Sequence, residues 1–159
     1  ERLYDEGVLR AVGVSNFLPH HLLNLFASAN IRPMVNEIEF HPGYTQPYVT
    51  EFCRKNGIVL EGWSPIGRGR LLCLPLLREM GARYGKSPAH LCIRFALQSG
   101  VLPLPKSSSR ARMLENLDVF NFTLSEEDFS RLATLPQAGW SGKHPDFERW
   151  APELEAENR

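Results

Sequence analysis

One pattern constrains this chain more than any other: short apolar, β-branched runs alternate with proline-opened amphipathic stretches. The first run, LRAVGVS, follows Gly7 and stops at Ser15-Asn16-Phe17. Pro19 suits the first turn of a helix, whose apolar face (Leu22, Leu23, Leu25, Phe26) continues to about Ala29 before Asn30 and Arg32-Pro33 break it. The second run, Met34 to Phe40, ends at His41-Pro42-Gly43, and Pro47 then opens a helix to about Asn56 with Gly57 past its end. The third, Ile58 to Trp63, ends at Ser64-Pro65-Ile66-Gly67, and a loop rich in glycine and arginine leads to Leu74. Two helices follow, Pro75 to Tyr84 and, capped by Ser87, Pro88 to Gln98. Val101 to Leu104 is the last strand, with a helix from about Arg110 to Leu117; Ser125 and Asp128 open a final helix to about Leu135. Parallel strands need a crossover that a helix supplies, so βα repeated four times predicts an α/β fold, its strands apolar on both faces because both are covered.

A chain of 159 residues, 43% of them apolar, can bury one sizeable core. Eighteen basic residues balance eighteen acidic ones, which excludes bulk attraction to nucleic acid or to an anionic membrane; anion recognition has to be local. Cys53, Cys73 and Cys92 form no CxxC pair, and are expected as buried thiols of a protein kept in a reducing compartment. No apolar run approaches the roughly 18 residues of a membrane span, and ERLYDEGVLR lacks the apolar core of a secretory signal, so the expectation is a soluble cytoplasmic protein. The opening residues read as the last turn of a helix ended by Gly7, as in a piece of a longer chain. Residues 1–159 are read as one unit, with 136–159 as a C-terminal loop carrying Trp140, Phe147 and Trp150.

Each strand ends in a polar or small cluster: Ser15-Asn16, then Glu39 and His41, then Trp63-Ser64, then Lys106-Ser107. Any one alone is ordinary turn chemistry. In parallel α/β folds the carboxyl ends of the strands share the face where ligands bind, so recurrence after every strand points to a site. The last cluster is the richest. In VLPLPKSSSRARMLEN a strand hands over to a helix through Lys106, three serines, Arg110 and Arg112. Serine hydroxyls and helix-start N–H groups donate to an anion while the cations neutralise it, so the stretch reads as a phosphate site; the competing reading is a solvated basic helix start. No GxGxxG follows a strand, and Gly67-Arg68-Gly69-Arg70 lacks its spacing, so any dinucleotide binds without a Rossmann fingerprint.

The stretches GVLRAVGVSNF, VNEIEFHP, WSPIGRG, LPKSSSRARMLEN and VFNFTLSEED follow the order and spacing of the aldo-keto reductases, and the chain resembles that family over nearly all its length. The resemblance implies a (β/α)8 TIM barrel of which this is the C-terminal half, strands five to eight. It implies reduction of aldehydes and ketones with NADPH, bound extended across the C-terminal face. By the same resemblance Ser15 and Asn16 match positions on the nicotinamide carboxamide and Trp63 the aromatic ring stacked on the nicotinamide. Ser64, Ile66 and Gly67 match the loop along the pyrophosphate. Lys106, Ser107 and Arg112 match the 2′-phosphate shell, and Glu115 with Asn116 the adenine contacts. Preference for NADPH over NADH is therefore expected.

Two departures accompany the match. Glu37 stands where the family usually has glutamine, also on the carboxamide; an amide donates and accepts whereas a carboxylate only accepts, so cofactor binding is expected to be weaker or the ring less fixed. The family's catalytic aspartate, tyrosine, lysine and histidine lie in the first half of the barrel, ahead of this sequence. Tyr4, Tyr44, Tyr48 and Tyr84 take none of those roles, His41 belongs to a structural HP turn, His20 and His21 read as helix-surface residues, and His90 and His144 show no metal-ligand spacing. A missing general acid typically costs about 10² to 10⁴ in rate.

The sequence thus supports the cofactor-binding half of a reductase acting on a small-molecule carbonyl, completed by its N-terminal half or by self-association. A noncatalytic NADP(H) sensor or regulatory module is the alternative, and a dimerising half-barrel scaffold a third. Trp140, Phe147 and Trp150 are candidates to wall a substrate pocket, or else aromatic anchors for the tail.

Overall fold

The structure, a computed structural model, describes residues 1–147, so Trp150 lies outside the described residues. A short helix α1 (Arg2–Asp5) precedes β1 (Gly13–Ser15), α2 (Pro19–Phe26), β2 (Val35–Glu39), α3 (Pro47–Lys55) and β3 (Val59–Trp63). A 3₁₀ segment (Gly67–Cys73) leads into α4 (Pro75–Tyr84) and α5 (Pro88–Gln98), followed by β4 (Leu102–Leu104), α6 (Arg110–Leu117) and α7 (Glu126–Ala133). The four strands form one parallel sheet in the order β1-β2-β3-β4, each next to its successor in sequence, which is half of a (β/α)8 barrel. α2, α3, α4 and α5 each begin with proline at the first helical position, where its missing N–H has no intrahelical acceptor to lose.

The core lies between the sheet and its helices: Leu22, Ile38, Leu60, Leu77, Leu91, Phe95, Val101 and Leu132 are buried there together. Gly81 sits mid-helix in α4, where glycine is usually unfavourable, because a Cβ would collide with the Lys86 carbonyl in the turn to α5. The far end is locked by a carboxylate. Asp128 of α7, 2% exposed, accepts from Arg83 Nη2 (2.6 Å) and from the Tyr84 hydroxyl (2.8 Å) of α4. Burial alone would push its carboxyl up, but the Tyr84 and Arg83 hydrogen bonds outweigh that and hold it below its ordinary value.

Several expectations change here. The ladder of β1 starts at Gly13 rather than near Leu9, and α2 stops at Phe26 because the Leu25 carbonyl is taken by Ser28 and Ala29 in a tighter turn. Cys53 and Cys92 are buried, and burial pushes the Cys92 thiol up to about 12, but Cys73 is exposed at the end of the 3₁₀ segment. The largest change concerns the sheet. The strands read as covered on both faces, yet register puts Gly13, Ser15, Val35, Glu37, Val59, Glu61, Leu102 and Leu104 on a face that no helix covers. Val59, Leu102 and Leu104 are 48%, 50% and 42% exposed on that face, which is the inner side of the half-barrel. α6 buries none of its residues, and Met113, Leu114 and Leu117 stand exposed on it.

Candidate functional site

The basic turn after β4 folds as its residues dictate. Pro105 removes an amide, and the Ser107 hydroxyl accepts from Ser109 N–H (3.1 Å), closing a small turn that puts Ser109 at the N-cap of α6. Arg112, Glu115 and Asn116, at i, i+3 and i+4, share one face of α6. With Lys106, Ser107 and Ser108 they line a cavity of about 340 Å³. Ile66 and Leu72 form its apolar wall, and Ser87, Pro88 and Ala89 at the start of α5 complete it. The start of α5 thereby adds the positive end of a helix dipole, although Pro88 has no N–H and the Ser87 N–H is donated to His90 Nδ1 (3.1 Å). Lys106 and Arg112 are exposed and make no ion pair among the described residues. Two uncompensated cations, serine hydroxyls and an apolar wall suit a phosphate monoester joined to a flat, weakly polar group.

A second group gathers at the carboxyl ends of β1, β2 and β3. Asn16 has left-handed backbone (φ +58°), its N–H donates to the Glu37 carbonyl (2.8 Å), and the Ser15 hydroxyl donates to the same oxygen (3.2 Å). The Trp63 indole N–H donates to Asn16 Oδ1 (2.9 Å), and the Asn16 amide N–H₂ makes no hydrogen bond among the described residues, beside the half-buried ring. Glu37 and Glu61 are register neighbours on the open face. From Ser64 the chain turns sharply, its amide-to-carbonyl closure running from Gly67 to Ser64 (2.8 Å), with left-handed backbone at Ser64, Gly67, Arg68 and Gly69. At Gly67 a Cβ would lie 2.8 Å from Leu71 Cγ, so glycine lets this loop pack against the 3₁₀ segment. The Arg68 guanidinium lies 5.7 Å from the centroid of the Trp63 ring.

The tail crosses the same end of the sheet. Glu39, 2% exposed, accepts from Ser141 N–H (2.9 Å) and the Ser141 hydroxyl (2.6 Å) and lies 3.3 Å from His41 Nε2, and Arg70 donates to the Trp140 carbonyl (2.6 Å). Fully buried His41, its Nδ1 2.9 Å from the Pro42 carbonyl, is structural as its turn implied. His20 and His21, read as helix-surface residues, instead hold Asp146 Oδ1 from Nε2 at 3.1 and 3.0 Å. His21 Nδ1 accepts the Leu18 amide (3.1 Å), so its Nε2 keeps the proton, and the cluster is a hydrogen-bonded clasp rather than a ligand set for a metal. Near it lies a larger cavity, about 570 Å³, walled by Tyr44, Tyr48, Val49 and Leu135. Trp140 stacks on Tyr44 with ring centroids 5.7 Å apart, and exposed Phe147 lies against His144; neither lines these two cavities.

The structure therefore brings Ile66, Lys106, Ser107, Arg112, Glu115 and Asn116 into one cavity and Ser15, Asn16, Glu37 and Trp63 to one strand-end cluster, with Ser64 and Gly67 in the loop between. The sequence reading missed Ser87, Pro88 and Ala89. Their Ser-Pro cap announced a helix start but nothing in it pointed to this cavity.

A model of the Aldo/keto reductase family matches residues 1–136. Glyoxal reductase of Bacillus subtilis is 44% identical over 146 residues, covering 92% of this chain and 53% of that protein. A 9,11-endoperoxide prostaglandin H2 reductase of Trypanosoma cruzi is 42% identical over 149 residues, with 92% and 53% covered. Among solved structures, Gox0644 in its apo form superposes with a TM-score of 0.86 at 35% identity, over 91% of this chain and 54% of that one. A Bombyx mori aldo-keto reductase in complex with NADP gives 0.77 at 30% identity, over 83% and 46%. The chain spans about half the length of the relatives it matches.

Proposed function

From the premise that this chain belongs to the Aldo/keto reductase family, we propose that it is the NADP(H)-binding half of a reductase that converts small aldehydes or ketones to alcohols. The observation that carries the reading is the cavity of about 340 Å³ whose lining includes Lys106 and Arg112, both exposed and without an ion pair among the described residues. Its donor set fits NADP(H): Lys106, Ser107 and Arg112 would hold the 2′-phosphate, and Glu115 with Asn116 the adenine. The Ser64, Ile66 and Gly67 loop would follow the pyrophosphate. At the strand ends, Ser15 and the Asn16 amide would take the carboxamide beside Glu37, and Trp63 would stack on the ring. Bound there, the cofactor supplies or accepts hydride. The residues of this chain would contact one face of the ring, and fixing the ring and excluding water from it would fall to whatever covers the open sheet face.

No tyrosine hydroxyl hydrogen-bonds to a lysine or histidine among the described residues; Tyr84 is committed to Asp128. The general acid comes from residues outside this sequence, and so does the cover for the open sheet face. Self-association fits that face poorly. Two copies would bring Glu37 and Glu61 twice over into one interior, and burying unpaired carboxylates costs several kcal/mol each. An N-terminal half carrying a cation opposite them suits better. No helix among the described residues is long and apolar enough to cross a membrane; with free thiols only, the cytoplasm is the compartment we assign. Glu37 favours one second reading, a noncatalytic NADP(H)-binding module, because a carboxylate cannot donate to the carboxamide oxygen. The two readings separate on one experiment. Carbonyl reduction over an aldehyde panel by the chain joined to its N-terminal half supports the reductase; tight NADPH binding without turnover supports the module and refutes the enzyme.

A further inference from the structure

A buried acid–base pair at the end of β2 ties the tail to the loop that follows β3. Fully buried His41 has Nδ1 2.9 Å from the Pro42 carbonyl, which can only accept, so Nδ1 carries a proton. Its Nε2 lies 3.3 Å from Glu39 Oε1. A ring with its single proton on Nδ1 would turn a lone pair towards a carboxylate there, so the two side chains hold one further proton between them. That proton belongs on the ring. Both Glu39 oxygens already accept, Oε1 from the Ser141 N–H (2.9 Å) and Oε2 from the Ser141 hydroxyl (2.6 Å), as suits a carboxylate. The other ionisable groups around the pair do not take the place of His41: the Tyr44 hydroxyl is pushed up by burial and further by the Glu39 carboxylate, and Arg70 donates to the Trp140 carbonyl.

The segment that Ser141 ends is wedged between two loops. On the β2 side the Ala138 N–H donates to the Gly43 carbonyl (3.3 Å), and a Cβ on Gly43 would lie 2.9 Å from Ala138 N. On the other side, a Cβ on Gly67 would lie 3.3 Å from Gly139 Cα, and one on Gly139 2.9 Å from Leu71 Cδ2. The strap from Pro136 to Ser141 thus fills the gap between the β2 turn and the Gly67 loop, backbone against backbone, and Glu39 fastens its end.

We propose that Glu39 and His41 are positioning residues: as a buried carboxylate–imidazolium pair they fasten Ser141, and the strap in turn holds the Gly67 loop in the shape that receives the diphosphate of a dinucleotide. Neither side chain touches the ligand. A buried carboxylate left without its counter-charge is costly, which keeps the proton on His41. The inference rests on the Ser64 to Gly67 loop following the diphosphate, as proposed above.

Two measurements test it. Heteronuclear NMR of the histidine-labelled chain at neutral pH should find both ring nitrogens of His41 protonated in the wild type and only one in Glu39→Gln; a singly protonated ring in the wild type overturns the pair. Titration with 2′-phospho-ADP-ribose and with adenosine 2′,5′-bisphosphate reads the loop, because only the first carries the diphosphate and neither needs the nicotinamide end. The wild type favours the first by about tenfold, as expected for hydrogen bonds to a charged group. Glu39→Gln, which cannot accept from both Ser141 donors through two oxygens, brings that ratio to within about twofold of unity. Should Glu39→Gln not fold, Ser141→Ala leaves the buried pair intact and should lower the ratio about threefold, with Ser141→Thr restoring it. A pair that only stabilises the fold would weaken both ligands together or neither, and a ratio unchanged in these variants overturns the inference. A wild type that binds the bisphosphate and gains nothing from the diphosphate refutes the role of the strap alone. One that binds neither refutes the site reading beneath it as well.

Discussion

The two ends of the proposed groove are built differently. The adenosine end is enclosed by α6, the start of α5 and the 3₁₀ segment, all neighbours within this chain. The nicotinamide end stands on strand termini whose sheet face is open, with Ser15 exposed and Trp63 only half-buried. On the proposed reading the difference divides labour: anion and base recognition would be complete within these residues, while orientation of the reacting ring would need whatever covers the open face. Affinity for the phosphate portion should therefore survive in the chain by itself, and chemistry should not.

The largest effect that could break this comparison comes from Lys106→Ala combined with Arg112→Ala. Removing two charge-assisted contacts should weaken adenosine 2′,5′-bisphosphate by about a hundredfold or more, with NADH little changed, in parallel calorimetric titrations. Next is Asp128→Asn, which should cost about 1 to 3 kcal/mol by unfolding titration, because it loosens α7 from α4 on the closed side of the sheet. The sign with pH follows from the carboxyl being held below its ordinary value when folded. Its contribution is full above the unfolded carboxylate range and is lost as pH falls through the folded value. The wild type should therefore lose melting temperature with acid more steeply than the variant.

Trp63→Ala sharpens the contrast from the open end. It should reduce NADPH affinity by about tenfold, given the few kcal/mol at most of a stacking ring, and leave the bisphosphate unaffected. Smallest is Glu37→Gln, which supplies an amide donor and should strengthen NADPH binding about threefold, again without effect on the bisphosphate.

The cavity of the proposed adenosine end was the more legible in sequence because one unbroken stretch, Lys106 to Asn116, supplies most of its lining, and helical spacing alone puts Arg112, Glu115 and Asn116 on one face. Ser87 was visible as a helix cap but not as a wall of the cavity, since its partner Glu115 is 28 residues away and no local pattern links them. The clasp of His20 and His21 on Asp146 spans about 126 residues and was unreadable for the same reason. Strand existence followed from apolar runs. Which strand faces are covered did not: Leu102 and Leu104 read as buried because their hydrophobicity records the barrel the strand belongs to, not the elements present beside it.

Titrating adenosine 2′,5′-bisphosphate into the isolated chain, with the Lys106→Ala, Arg112→Ala variant alongside, tests the central claim most directly. Saturable binding by the wild type, weakened about a hundredfold in the variant, is the result expected of an adenosine end complete within these residues. Binding that appears only once the open face is covered, or that is indifferent to the two substitutions, would contradict it.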